Sequence, residues 1–153
     1  MTETGVHHPE IGVHLRPKWV FTFDRNERSP WSEIRKFDGN DHFLRSFGNL
    51  PTPQGVAVGL DGRVYLSGLV GQIYDPGGAV VGGFGFAGTA LAISSGGSLL
   101  AVDNGDNQVH VANLNGNLVQ TFSTGPGSKP RGIAAGLDGL IYVARDLFHD
   151  IAV

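Results

Sequence analysis

The stretch Pro53–Leu66 reads PQGVAVGLDGRVYL, and Pro130–Val143 reads PRGIAAGLDGLIYV. Eight of the fourteen positions are identical, and four others exchange one aliphatic residue for another or Val for Ala. In each copy a short apolar run leads into Leu-Asp-Gly, and a second apolar run follows in period two. Asp-Gly supplies the positive φ that a tight hairpin needs. Each copy therefore predicts two antiparallel strands. The copies lie 77 residues apart, so the next question is what fills the space between them.

A weaker third copy, TALAISSGGSLLAV, occupies Thr89–Val102. It keeps the alternation of small and apolar residues and the turn glycine. The three turn glycines are Gly62, Gly97 and Gly139, spaced 35 and 42 residues apart. A second phrase recurs out of phase with the first. It reads EIRKFDGNDHFLRSFG from Glu33, QIYDPGGAVVGGFG from Gln72 and QVHVANLNGNLVQTFS from Gln108. Its closing phenylalanines, Phe47, Phe84 and Phe122, are spaced 37 and 38 residues apart, so 77 is two periods of about 38. One period contains four short strands joined by hairpin turns, and no segment has a helical period. Four strands in about 40 residues is the signature of a propeller blade. A blade is apolar on both faces and must stack on its neighbours to bury them.

Bulk properties agree. The chain of 153 residues holds 24 Gly and 8 Pro, about a fifth of the total, against roughly an eighth in average proteins. Many tight turns follow from that excess. A net charge of −3 gives no general attraction to nucleic acid or to an anionic membrane. Seven of the eleven Lys and Arg precede residue 48, but seven acids share that segment, so no basic face is legible. Without cysteine there is neither a disulfide framework nor a thiolate metal site. The first residues, MTETGVHHPEIG, show no secretory pattern, and no run of about 18 apolar residues suggests a membrane span. No compartment is read from these features.

The consensus PxGIAxxxDGxIYVA, best matched by PRGIAAGLDGLIYVAR, resembles the NHL repeat of β-propellers. The resemblance covers roughly residues 18–153 and implies an all-β propeller of four-stranded blades. The organisation expected is a flexible tail over residues 1–17, then a partial blade over 18–48, blades over 53–85 and 89–123, and a partial blade over 130–153. In the first partial blade, strands are expected at Trp19–Asp24, Glu33–Phe37 and His42–Phe47. About six blades close a ring in this family. The propeller is therefore expected to be incomplete. A piece of a longer propeller is preferred to copies that assemble into a ring.

Propeller ligands sit on the face lined by the b–c and d–a loops. The first b–c loop, DRNERSPWS, places Arg25, Arg28 and Trp31 together, a set suited to a carboxylate, phosphate or sugar by charge-assisted bonds and stacking. The third b–c loop, DNGDNQ, contributes Asp103 and Asp106. Arg131 opens the last a strand, and Arg145 and His149 lie in the last b–c loop. DRNER resembles a motif of the amidating-lyase-like branch, which makes Arg25 and Arg145 the candidates for holding an anionic substrate there. That branch carries metal-binding histidines at the start of strand a, where this chain has Gln54, Thr89 and Arg131. None of the three replaces an imidazole ligand well, which argues against its metal chemistry. DNGDNQ is rich in oxygen donors but lacks the ligand order and late glutamate of a calcium loop. Asp103 is expected to bond its own turn, and His110, in mid-strand, to be a packed or strand-surface residue. No nucleophile–base set stands out. The expected function is a non-catalytic platform for a protein or a small anionic ligand, without cofactor or metal. The alternative is a metal-dependent lyase or a lactonase-like hydrolase. Nucleic acid and membrane are not expected partners.

Overall fold

The computed structural model describes residues 20–24, 33–146 and 150–153. The expected tail over residues 1–17 lies outside them. Fourteen strands and no helix occur among the described residues. The first sheet holds β1 (Val20–Asp24), β2 (Glu33–Phe37) and β3 (Phe43–Phe47). The second holds β4 (Gly55–Val58), β5 (Val64–Ser67), β6 (Gly71–Tyr74) and β7 (Val80–Phe84). The third holds β8 (Ala90–Ile93), β9 (Ser98–Asp103), β10 (Gln108–Asn113) and β11 (Leu118–Ser123). The fourth holds β12 (Pro130–Ala135), β13 (Ile141–Arg145) and β14 (Asp150–Ala152). Every pairing is antiparallel between strands consecutive in sequence. This is the all-β, four-stranded-blade architecture that the repeat predicts.

The turns explain the repeat. Each a–b hairpin places its glycine in the left-handed region: Gly62 (φ 80°), Gly97 (φ 77°) and Gly139 (φ 87°). The aspartate before the glycine fixes the bend, since Asp61 Oδ1 accepts the N–H of Arg63 and Asp138 Oδ1 that of Leu140. In the third sheet Gly96 stands in place of aspartate. There Ser94 Oγ accepts the N–H of Ser98 at 2.9 Å. The c–d hairpins repeat among themselves too. Asp38, Asp75 and Asn113 cap them with the side-chain oxygen. A residue with positive φ, Asp41, Gly78 or Gly116, sits three positions on. All three c–d pairs carry a register shift at the same place, Lys36/Phe37, Ile73/Tyr74 and Val111/Ala112.

Stacking buries the b strands on both faces. β5 is buried at all four positions, and Leu99–Val102 of β9 likewise. Both faces are covered, so these strands are continuous apolar runs and not the period-two alternation expected after Asp-Gly. Alternate residues serve opposite seams. Val64 and Leu66 join Ile34, Leu50 and Tyr74 between the first two sheets. Tyr65 joins Ile73, Phe84, Leu91, Leu99 and Ala101 between the second and third. Val102 and Val109 meet Val143 between the third and fourth. Burying one large aliphatic side chain contributes about 1.5–3 kcal/mol. Polar clasps reinforce two of these seams. The Arg45 guanidinium donates to the carbonyls of Pro76 (2.6 Å) and Gly77 (2.8 Å), and the Tyr65 hydroxyl donates to the carbonyl of Leu114 (3.1 Å). In each, one blade grips the c–d turn of the next.

Candidate functional site

Stacked repeats bring equivalent positions together. Gln54 and Thr89 immediately precede β4 and β8, and Arg131 is the second residue of β12. These three a-strand entries line one cleft of about 580 Å³, closed on one side by the turn after β9 through Asp103, Asn104 and Gly105. The entry positions therefore supply an amide, a hydroxyl and a guanidinium to a common space. The turn adds a carboxylate.

The cleft walls are held by hydrogen bonds within and between blades. The Thr89 N–H donates to Val102 O at 2.7 Å, and Thr89 Oγ1 accepts the N–H of Asn104 at 3.3 Å. Gln54 N–H donates to Ser67 O, and Gly88 N–H to Gly68 O. Beneath them the fully buried Ser67 hydroxyl donates to Gly88 O at 2.8 Å. The turn after β9 is equally tied down. Asp103 Oδ1 accepts the N–H of Gly105 at 2.7 Å, as expected of an aspartate bonding its own turn. Asp106 Oδ1 accepts that of Gln108 at 3.1 Å. Asn107 (φ 60°) accepts from Thr124 on its carbonyl and from the Lys129 N–H on its side chain. At the mouth, Arg131 Nε lies 2.8 Å from Asp146 Oδ2, with both side chains largely exposed. Such a pair contributes only about 0.2–1 kcal/mol. It orients the guanidinium while leaving its other donors in solvent reach.

Of the residues singled out in the sequence, Asp103 and Arg131 meet in this cleft. Asp106 sits beside it, with Oδ2 3.5 Å from His110 Nε2. Arg145 is held elsewhere: it lines a separate cleft of about 380 Å³ with Thr124 and Val143, and its Nη1 donates to Thr124 O at 3.1 Å. Arg25, Arg28, Trp31 and His149 lie outside the described residues. Gln54 and Thr89 entered the sequence reading only as departures from a histidine pattern, yet they line the cleft. Their signal was the repeat itself, which makes Arg131 and these two residues equivalent. His110 is the packed one of its two expected alternatives: it is buried and stacks on Phe86 with ring centroids 5.1 Å apart. The sequence reading did not connect it with the aspartates of the turn. Asp103, Asp106 and His110 each bring one ligand atom within 4.8 Å of the others.

No protein-family model matches the chain, and no curated protein matches it in sequence. Solved structures do match. Streptogramin B lyase superposes with a TM-score of 0.63 at 18% identity, over 78% of this chain and 46% of its own. A catalytically inactive virginiamycin B lyase from Staphylococcus aureus, solved with quinupristin, gives 0.65 at 17% identity, over 78% of this chain and 44% of its own. Hydrazine synthase of Kuenenia stuttgartiensis gives 0.65 at 17% identity, over 74% and 36%. At these identities the likeness is one of fold. The chain is a run of β-propeller blades that spans less than half the length of each of these propeller proteins.

Proposed function

We propose that the chain is an NHL-type, non-catalytic binding platform whose loop-face cleft holds a small anionic ligand or an anionic group of a protein partner. One observation carries this reading. Three equivalent a-strand entries converge on one cleft and present hydrogen-bond donors, with Arg131 as the cation. A guanidinium matches a carboxylate or phosphate in a bidentate fork, and Gln54 and Thr89 add neutral hydrogen-bonding groups. We extend the proposal to assembly: a second copy of the chain would supply further blades to the ring.

The test is calorimetric titration with inorganic phosphate and with succinate, on the parent chain and on Arg131→Ala. Removing one charge-assisted contact of about 1.5–3 kcal/mol should weaken binding about tenfold or more. Equal affinity in both proteins overturns the site, and no binding of either anion by the parent overturns the anionic reading. Structural likeness to two lyases supports lyase activity as the second reading. Incubation with quinupristin separates the two: a platform leaves its chromatographic mobility unchanged, whereas a lyase of that kind converts it.

A further inference from the structure

Away from the Arg131 side of the cleft, three side chains converge at the seam between the second and third sheets. The β9–β10 register pairs Asp103 with Gln108 and Ala101 with His110. Period-two alternation therefore sets Asp103 and His110 on one face of the hairpin. The intervening turn brings Asp106 over the same face. One ligand atom from each lies within 4.8 Å of the other two.

Each group is pre-oriented. Asp103 and Asp106 each spend Oδ1 on a backbone N–H two residues on, at 2.7 and 3.1 Å. The His110 side chain is nine-tenths buried. Phe86 covers its ring, and Nδ1 lies 3.4 Å from Thr121 Oγ1. With Nδ1–H directed at that hydroxyl, the Nε2 lone pair points towards Asp106 Oδ2, 3.5 Å away. In that tautomer a metal ion can bridge the two acceptors; in the other, Nε2–H faces Asp106 Oδ2 while Nδ1 accepts from the Thr121 hydroxyl. Tied carboxylates and a histidine fixed through its second nitrogen are the outer-shell arrangement by which proteins orient metal ligands. One imidazole and two carboxylates suit a divalent transition ion such as zinc, whereas calcium and magnesium favour all-oxygen sets.

We infer that Asp103, Asp106 and His110 form a binding site for a divalent transition-metal ion, zinc being the reference probe. It shares Asp103 and Asp106 with DNGDNQ but differs from the calcium loop considered there, because its nitrogen ligand comes from the following strand. It also stands apart from the anion reading, since Arg131 contributes nothing to it. Asp103, which lines the cleft, would place the ion at the cleft's edge.

The test is zinc titration by calorimetry of the chelator-treated full chain, with cobalt absorption as a second readout. His7 and His8 are first replaced by alanine, since adjacent histidines bind zinc by themselves. The expected result is one zinc per chain in that background. Affinity should fall about tenfold or more in His110→Gln and in Asp106→Asn. Asp106→Asn keeps the amide oxygen that accepts from Gln108, so it carries the test if His110→Gln does not fold by circular dichroism. Unchanged zinc affinity in Asp106→Asn, or no stoichiometric zinc in the background chain, overturns the site and leaves His110 Nε2–H facing Asp106.

Discussion

Replacing Gly116 by alanine measures how tightly the blades are wedged. Gly97 and Gly116 lie in the first and third hairpins of the third sheet, and both are left-handed, with φ of 77° and 86°. An alanine in that conformation costs about 1 kcal/mol at either site. The surroundings differ. A Cβ on Gly97 meets nothing nearer than Leu114 Cδ1 at 3.9 Å. A Cβ on Gly116 would lie 2.3 Å from the carbonyl oxygen of Gly83 and 3.2 Å from Phe84 Cβ, on the neighbouring sheet. That oxygen is backbone and cannot swing aside. The turn must withdraw by roughly 1 Å, and gaps of that size forfeit a quarter to half of each dispersion contact across them. Overpacking of this kind costs about 1–3 kcal/mol. Gly116→Ala should therefore destabilise by about 2–4 kcal/mol, and Gly97→Ala by about 1. With a urea slope of about 2 kcal/mol/M, the two midpoints should differ by about 1 M. Equal destabilisation, within about 0.5 kcal/mol, would refute the claim that this turn is held against the preceding blade.

Burial raises the pKa of Tyr65 and Tyr74 above the ordinary tyrosine value, so the fold favours the neutral phenol. The stability this confers is complete below the unfolded value of about 10 and is lost as pH rises above it. In an alkaline absorbance titration, Tyr65 and Tyr74 should ionise only as the sheet signal is lost; reversible ionisation of all three tyrosines near pH 10 in the folded chain would contradict this. Ser67→Ala removes the buried donor to Gly88 O and should cost about 1–3 kcal/mol in urea unfolding. A cost below about 0.5 kcal/mol would show that this hydroxyl does not hold the cleft floor.

The architecture was legible because its causes are local. Leu-Asp-Gly recurs because each a–b hairpin needs a positive φ beside a side chain that caps the bend, and both requirements are visible in the letters. Apolar runs such as Val64–Leu66 and Leu99–Val102 marked strands, while their burial on both faces came from the stacking of blades. Even where Gly96 replaces the aspartate, the glycine that follows kept the turn readable. The site was less legible because it is made of equivalences between blades. Gln54, Thr89 and Arg131 are unlike residues at like positions, and only stacking brings them to one cleft. The register of one hairpin decided the rest. Pairing Gln108 with Asp103 sends His110 towards the aspartates, and a shift of one residue would have sent it to the opposite seam. Local chemistry determined the strands and their turns. The angle at which one blade stacks on the next determined which side chains meet, because that angle is set by packing across the seams and by no single stretch of the chain.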